Sequence, residues 1–331
     1  MNNMIQYRYT SEFLREMQAL PLARKVGITA ARLTEFYEHY EGKVFVSFSG
    51  GKDSTVLLKL ARSLFPDIKA VFVNTGLEYP EIVDFVKTFD NVDIIRPAKS
   101  FKQVIEEEGY PVGSKEISQY IREYRRAVET GKWSTHANML RAEVCPDEKS
   151  RMHWEMCQRY KWLLDAPFKI SDKCCDIMKK NTSHQYTKET GLMPIIGTLA
   201  SESMLRRQAW LRNGCNAFNS KYPKSTPMAF WKEQDILEYI HKKNIPISPI
   251  YGEVIQDKKG KWITTGAKRT GCMYCLFGIQ FDKEPNRIQQ LAQTHPQMYQ
   301  YILDKLGFRE VMDFMKIPYQ PVSEPQEPQA S

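Results

Sequence analysis

The chain has 331 residues, 42% of them hydrophobic and 26% charged, with 18 Pro and 17 Gly; this balance excludes fibrous and low-complexity chains and leaves room for one large or two modest domains. The longest apolar stretches, residues 44–48 and 192–200, fall far short of the about 18 residues a helix needs to cross a bilayer, so no membrane partner is expected. Lys plus Arg exceed Asp plus Glu by 47 − 39 = +8, an excess that suits anionic ligands such as nucleotides, sulfate or a phosphate backbone. The start, MNNMIQYRYTSEF, has no basic segment followed by an apolar one. A cytoplasmic protein is therefore expected, with its seven cysteines reduced.

In chain order, residues 10–40 predict two helices, the first capped by Thr10 or Ser11 and the second opened by Pro21, so that residues 1–42 form an N-terminal helical segment. The period then changes. Residues 44–48 read as a buried strand, 49–54 as a glycine turn and 55–64 as a helix; a second strand at 70–73, a helix at 80–89 and a third strand at 92–95 follow. Strand and helix alternating over short connections predicts α/β class, with a Rossmann-like parallel sheet sandwiched by helices. This domain is expected to span residues 43–250 and to carry a helical insertion at about 110–168, broken near Gly131, Pro146 and Pro167. Residues 193–198 resume a strand, 202–211 a helix, and 231–243 another helix stopped before Pro246. Residues 251–315 form a C-terminal Cys-containing extension, with a hairpin turning at Gly260 and helices from about 284 to 314. The Pro- and Gln-rich residues 316–331 are expected to be a disordered tail.

Positive charge clusters in two places. Lys258, Lys259, Lys261, Lys268 and Arg269 fall within thirteen residues that contain one acid, Asp257, while Arg122, Arg125 and Arg126 share one predicted helix. Solvated surface charge and an anion-binding face are equally good readings of such runs.

The turn after the first strand carries Ser49, Gly50, Gly51, Lys52, Asp53, Ser54 and Thr55. Two glycines allow positive φ and close backbone approach, and the helix that follows offers unpaired N–H groups and the positive end of its dipole. Lys52 adds a mobile cation, the hydroxyls add donors, and Asp53 is suited to cap the helix or to hold a magnesium ion. The loop is not a Walker motif, because Val46 stands where the first glycine belongs and Asp53 where Ser or Thr follows the lysine.

VSFSGGKDSTVLL resembles the PP-loop of the ATP pyrophosphatase superfamily, and FVNTGLEYPE resembles its phosphoadenosine phosphosulfate (PAPS) reductase branch. The resemblance implies the adenine nucleotide α-hydrolase fold. It further implies that Ser47, Ser49, Gly50, Gly51, Lys52, Asp53 and Ser54 face the phosphates or sulfate, and that Asn74, Thr75 and Gly76 face the nucleotide. IIGTLASESMLRRQAW is similar to another family segment, aligning Gly197, Glu202, Ser203 and Arg206, with Leu199 where the family usually has arginine. PMAFWKEQDILEYIHKKNIPISPIYG is similar to the segment that leads into the family's CxxC.

Cys174 and Cys175 are adjacent, and Cys272 and Cys275 form a CxxC. Four thiolates in a reducing compartment suggest a metal: zinc prefers two CxxC knuckles, whereas adjacent cysteines suit separate irons of an iron–sulfur cluster. A CC pair with a distant CxxC also resembles the [4Fe–4S] signature of adenylylsulfate reductases and of the DNA phosphorothioation sulfurtransferase. Cys145, Cys157 and Cys215 stand in no motif and read as structural.

The resemblance leaves three functions open. In the first, ATP and magnesium bind at the loop, ATP is cleaved to AMP and pyrophosphate, and an adenylated acceptor receives sulfur, as in nucleic-acid modification; Lys52, Asp53 and Arg206 would be catalytic, with Glu202 beside the nucleotide. Lys258, Lys259, Lys261, Lys268 and Arg269 would then meet a nucleic acid, and the lack of a base-reading element leaves room for a protein partner. In the second, the chain reduces a sulfonucleotide. Family reductases do so with a further cysteine on a C-terminal tail; none follows Cys275 here, so this reading needs Cys145, Cys157 or Cys215 at the site. In the third, the chain is a nucleotide-sensing subunit without turnover.

Overall fold

A computed structural model describes residues 7–321. The chain divides into two compact units. The first comprises residues 7–74, 78–97 and 181–270; the second comprises 75–77, 98–180 and 271–321.

The first unit is built on a six-stranded sheet with strands β1 (Val44–Ser47), β2 (Lys69–Val73), β3 (Val92–Ile95), β4 (Met193–Ile196), β5 (Asn216–Ala217) and β6 (Lys224–Ser225), in the order β3-β2-β1-β4-β6-β5. Every pairing is parallel except β5 with β6. This is the expected α/β class with a parallel sheet, and β1 lies inside it with neighbours on both edges. Its run of apolar residues follows from burial on both faces. Val44 and Val46 enter the main core with Leu57, Leu58 and Ala61 of the helix Lys52–Leu64, whereas Phe45 meets Val71 and Tyr186 on the opposite face. The helices Ser11–Ala19 and Leu22–His39 precede the sheet, and the Thr10 hydroxyl caps the first by accepting from the Phe13 N–H at 3.1 Å. Leu33 and Phe36 carry the second helix into the main core. The unit ends in an antiparallel hairpin, β7 (Val254–Gln256) with β8 (Trp262–Thr264), whose turn contains Gly260 as expected.

The second unit is helical. The insertion contributes the helices Phe101–Glu107, Lys115–Thr130, Thr135–Arg141 and Arg151–Tyr160, and the C-terminal segment contributes Arg287–Thr294, Pro296–Lys305 and Phe308–Met315. Insertion and extension thus share one unit instead of forming separate bodies. The Gly278 N–H donates to the Gly113 carbonyl at 2.7 Å, and the Tyr110 hydroxyl donates to the Leu306 carbonyl at 2.8 Å.

One open reading is narrowed and one expectation needs correction. Of the run Arg122, Arg125 and Arg126, left open between solvated charge and an anion-binding face, only Arg126 is exposed, while Arg122 and Arg125 are taken up within the unit. Arg125 donates to the carbonyls of Phe168 at 2.6 Å, Ala166 at 2.8 Å and Leu164 at 3.0 Å, and Arg122 pairs with Asp172 at 2.8 Å. The tail, expected to begin at residue 316, stays packed through its first residues: Ile317 and Tyr319 are buried, and the Tyr299 hydroxyl donates to the Tyr319 carbonyl at 2.9 Å. Residues 322–331 of the expected tail lie outside the described residues.

Candidate nucleotide and cysteine sites

The glycine loop connects β1 to the helix Lys52–Leu64 and is braced by its own hydroxyls. The Ser54 hydroxyl donates to the Gly51 carbonyl at 2.9 Å and lies 3.0 Å from the Ser49 hydroxyl, while the Thr55 hydroxyl donates to the same carbonyl at 3.0 Å. As at any helix start, the N–H groups of the first turn have no intrahelical partners, the arrangement that receives anions.

The two glycines do different work. Gly50 takes φ +71, and a Cβ there would lie 2.8 Å from the Ile82 and Val86 side chains, so this position requires glycine. Gly51 is the N-cap with extended backbone, φ −74 and ψ 156, which corrects the expectation of positive φ at both. A side chain at Gly51 would instead point at the Ser49 and Tyr251 hydroxyls, 3.3 and 3.4 Å from its Cβ. Asp53 does not cap the helix but lies in its first turn. Behind the loop, a Cβ on Gly197 would lie 3.2 Å from the Asp53 carbonyl oxygen and the Ser54 Cα, so this glycine lets β4's outgoing chain touch the helix start.

Lys52 is buried. Its ammonium donates to Glu233 Oε1 at 2.9 Å and to the Lys268 carbonyl at 2.5 Å, and lies 5.6 Å from the centre of the Tyr251 ring. The Tyr251 hydroxyl is 2.5 Å from that of Thr270. Burial raises the Asp53 carboxyl above the ordinary aspartate value, although Lys52 pulls the other way. Glu202 accepts from the Leu199 N–H at 3.0 Å, pairs with Arg206, and lies 3.9 Å from Arg269. Ser203 caps the helix Met204–Asn213 that carries Arg206. The fold therefore brings together, in its first unit, Ser49, Gly50, Gly51, Lys52, Asp53 and Ser54 with Gly197, and Glu202 with Arg206 and Arg269.

Ser47 ends β1, and the Asn74 N–H, just past β2, donates to the Ile95 carbonyl at 2.8 Å. Thr75 and Gly76 fall in the second unit, where Thr75 is buried and its hydroxyl accepts from the Leu77 N–H at 3.3 Å. Glu233 and the Lys268 carbonyl are the groups that the sequence did not reveal.

All four paired cysteines lie in the second unit. The Cys174 Sγ donates to the Cys175 Sγ at 3.9 Å; this bond and burial push the Cys174 thiol up, with Cys175, Cys275 and Cys272 adding negative potential. The same bond brings Cys175 down to about 6 against its burial, helped by Lys115 and Lys179. Cys272 and Cys275 sit in a turn closed by the Cys275 N–H on the Cys272 carbonyl at 3.1 Å, and burial raises Cys275. Arg287 fixes the outgoing chain through the Cys275 and Phe277 carbonyls, both at 3.2 Å, while Asp282 holds its guanidinium. The Met273 N–H donates to the Leu77 carbonyl at 2.8 Å. Among the described residues, no three His, Cys, Asp or Glu side chains are gathered closely enough to hold one metal ion. Cys157 and Cys215 are core thiols pushed up by burial to about 12 and about 11, as their structural reading requires.

The phosphoadenosine phosphosulfate reductase domain matches residues 43–132 and 115–276. The chain belongs to this reductase-domain family. The match covers the phosphate loop, the Glu202–Arg206 segment and both cysteine pairs. Relatives of this family member include an uncharacterized protein of Methanocaldococcus jannaschii, 28% identical over an alignment of 135 residues that covers 36% of this chain and 33% of that protein. The chain spans about a third of the length of the Methanocaldococcus relatives it matches. The adenosine 5'-phosphosulfate reductase of Geobacillus kaustophilus is 23% identical over 216 residues, covering 65% of this chain and 70% of that one. Among solved structures, the PAPS reductase from Candida auris in a phosphate complex is similar at TM-score 0.37 and 12% identity, over 76% of this chain and 97% of that chain.

Proposed function

We propose that this chain binds an adenine nucleotide with its phosphates on the loop from Ser49 to Ser54, and cleaves ATP between the α and β phosphates to activate an acceptor for sulfur transfer. The observation that carries this reading is the first turn of the helix Lys52–Leu64, where a buried ammonium and a half-buried carboxyl raised by burial share the N–H end. Burial penalises the charged Asp53, and a divalent cation beside it would reverse that penalty, as a magnesium nucleotide would provide.

In this reading an acceptor oxygen attacks the α phosphorus, the bond to the bridging oxygen breaks, and pyrophosphate leaves. A sulfide donor then attacks the activated atom of the acceptor, forming its bond to sulfur as AMP leaves with the acceptor's oxygen. Lys52 and the helix N–H groups neutralise charge that grows on the departing phosphates, and Arg206 and Arg269 add cationic potential from the Glu202 side. To do so, Lys52 exchanges part of its contact with Glu233 and the Lys268 carbonyl for phosphate oxygens.

Cys174, Cys175, Cys272 and Cys275 would hold a [4Fe–4S] cluster. What supports it is the chemistry of the donors and not a gathered geometry: four thiols lie within one unit, and one of them is brought toward its thiolate by the hydrogen bond from Cys174, helped by Lys115 and Lys179. When bound, such a cluster supplies electrons or a sulfur-binding iron.

A second reading, reduction of a sulfonucleotide, is favoured by the family match and by the name of the Geobacillus relative. Cys157 and Cys215 are too buried and too weakly acidic to attack sulfur, so within the described residues that reading turns to Cys145 or to an external thiol.

Calorimetric titration with ATP and magnesium tests nucleotide binding. Gly51→Val suits the extended backbone and keeps the fold, but its methyl groups fill the space between Ser49 and Tyr251 where phosphate would sit. We expect at least a 100-fold loss of affinity with an unchanged circular dichroism spectrum; unchanged affinity would refute the loop assignment.

A further inference from the structure

We propose that the β7–β8 hairpin is a docking arm that lies in the major groove of duplex DNA and grips its phosphates through the lysines of its turn. The strands pair in the register Val254 with Thr264, Ile255 with Ile263 and Gln256 with Trp262, so their side chains sort onto two faces. On the inner face Val254 packs against the core and the Trp262 ring lies 4.4 Å from that of His241. On the outer face Ile255 and Ile263 oppose each other, 40% and 37% exposed.

The turn is cationic by construction. Its single acid, Asp257, is spent on the backbone, accepting from the N–H groups of Lys259 at 2.8 Å and Lys261 at 2.9 Å. Lys258, Lys259 and Lys261 are exposed and make no ion pair among the described residues. Lys268 and Arg269 continue the run at the foot of the ribbon. Point charges at the tip and a narrow apolar face between them match what the major groove of a B-form duplex admits, a two-stranded ribbon between two rows of phosphates. The major groove of an RNA duplex is too deep and narrow for it, and a ribbon without a cleft offers nothing to enclose a peptide.

The arm is tied to the phosphate loop. Gln234 holds both the N–H and the carbonyl of Trp262, each at 2.9 Å, and its neighbour Glu233 holds Lys52. At the foot, the Lys268 carbonyl accepts from Lys52 and the Thr270 hydroxyl meets that of Tyr251. DNA on the ribbon would therefore lie beside the residues that bind the nucleotide. That consequence rests on the function proposed above, whereas binding itself does not.

The test is fluorescence anisotropy of the full chain with a labelled 20-bp DNA duplex, the same sequence as RNA duplex, and a polyglutamate peptide, over a salt series. Reversing three charges, K258E/K259E/K261E, is expected to weaken DNA binding at least tenfold and to lower the slope of log affinity against log salt by about 2 to 3, at about 0.9 per phosphate contact. Affinity of that variant for ATP and magnesium, measured by calorimetry, is expected to match the wild type. DNA binding that the reversal leaves unchanged, no DNA binding at 50 mM salt, or tighter binding of the RNA or the peptide would each overturn the docking arm. Loss of ATP binding by the wild type, with DNA binding intact, would overturn the nucleotide reading and leave the arm standing.

Discussion

Asp53 shows how a single residue can cost stability and still be kept. Its folded carboxyl, raised by burial, holds a proton more tightly than the unfolded chain does. Stability therefore falls as the pH rises from the unfolded value, about 3.9, through the folded one, and stays lower above it. Asp53→Asn removes that loss. Without nucleotide or magnesium, the variant should melt a few degrees above the wild type at pH 7.5, with the difference narrowing toward pH 4; equal melting at pH 7.5 would show that the charged form is not strained. At this scale the loop itself was legible, because residues 49 to 55 are contiguous and their chemistry is local. The roles within it were only half legible, since sequence does not say which of two adjacent glycines takes positive φ. Glu233 was not legible, because its bond to Lys52 spans 181 positions.

Among the elements, the helix Leu22–His39 is joined to the rest of the first unit by a buried ion pair, alongside the hydrogen bond from Trp231 to Thr29. Lys25 on the helix Leu22–His39 donates to Asp235 at 2.6 Å and to the Gln18 carbonyl at 2.9 Å, with side chains 2% and 13% exposed. Asp235 also accepts from the Lys232 N–H at 2.6 Å, so it caps the helix Glu233–Lys243 while it neutralises Lys25. Lys25→Met strands that carboxylate and should cost about 3 kcal/mol, lowering the melting temperature by about 4 °C; a shift under 1 °C would mean that the pair contributes little. Strands β1 to β4 were readable from their apolar runs and flanking turns. Strands β5 and β6 were not, since two residues each cannot show a period and their burial comes from neighbours. The packing of Ile317 and Tyr319 was hidden for a related reason. A Pro-rich composition describes a segment on average, whereas carbonyls at Pro318, Tyr319 and Gln320 are taken up one by one by Asn286, Tyr299 and Gln289.

At the scale of the molecule, the sequence motifs distribute over two units: the phosphate loop in one, the four cysteines in the other. The insertion at about 110–168 and the extension from 251 read as separate because the strand at 193–198 and two helices intervene in sequence, yet their helices belong to one unit. The proposed sulfur transfer would draw on both units, the loop to activate with a nucleotide and the cysteines to hold sulfur or electrons. The most direct test of that account is to purify the protein without oxygen, incubate one sample with ATP, magnesium, sulfide and a DNA duplex as acceptor and another with adenosine 5'-phosphosulfate and a thiol, and quantify AMP, pyrophosphate and sulfite. The account predicts equal amounts of AMP and pyrophosphate in the first sample, formed by the wild type and lost in Lys52→Met. Intact ATP, with sulfite released from adenosine 5'-phosphosulfate in its place, would contradict it and make the chain a sulfonucleotide reductase.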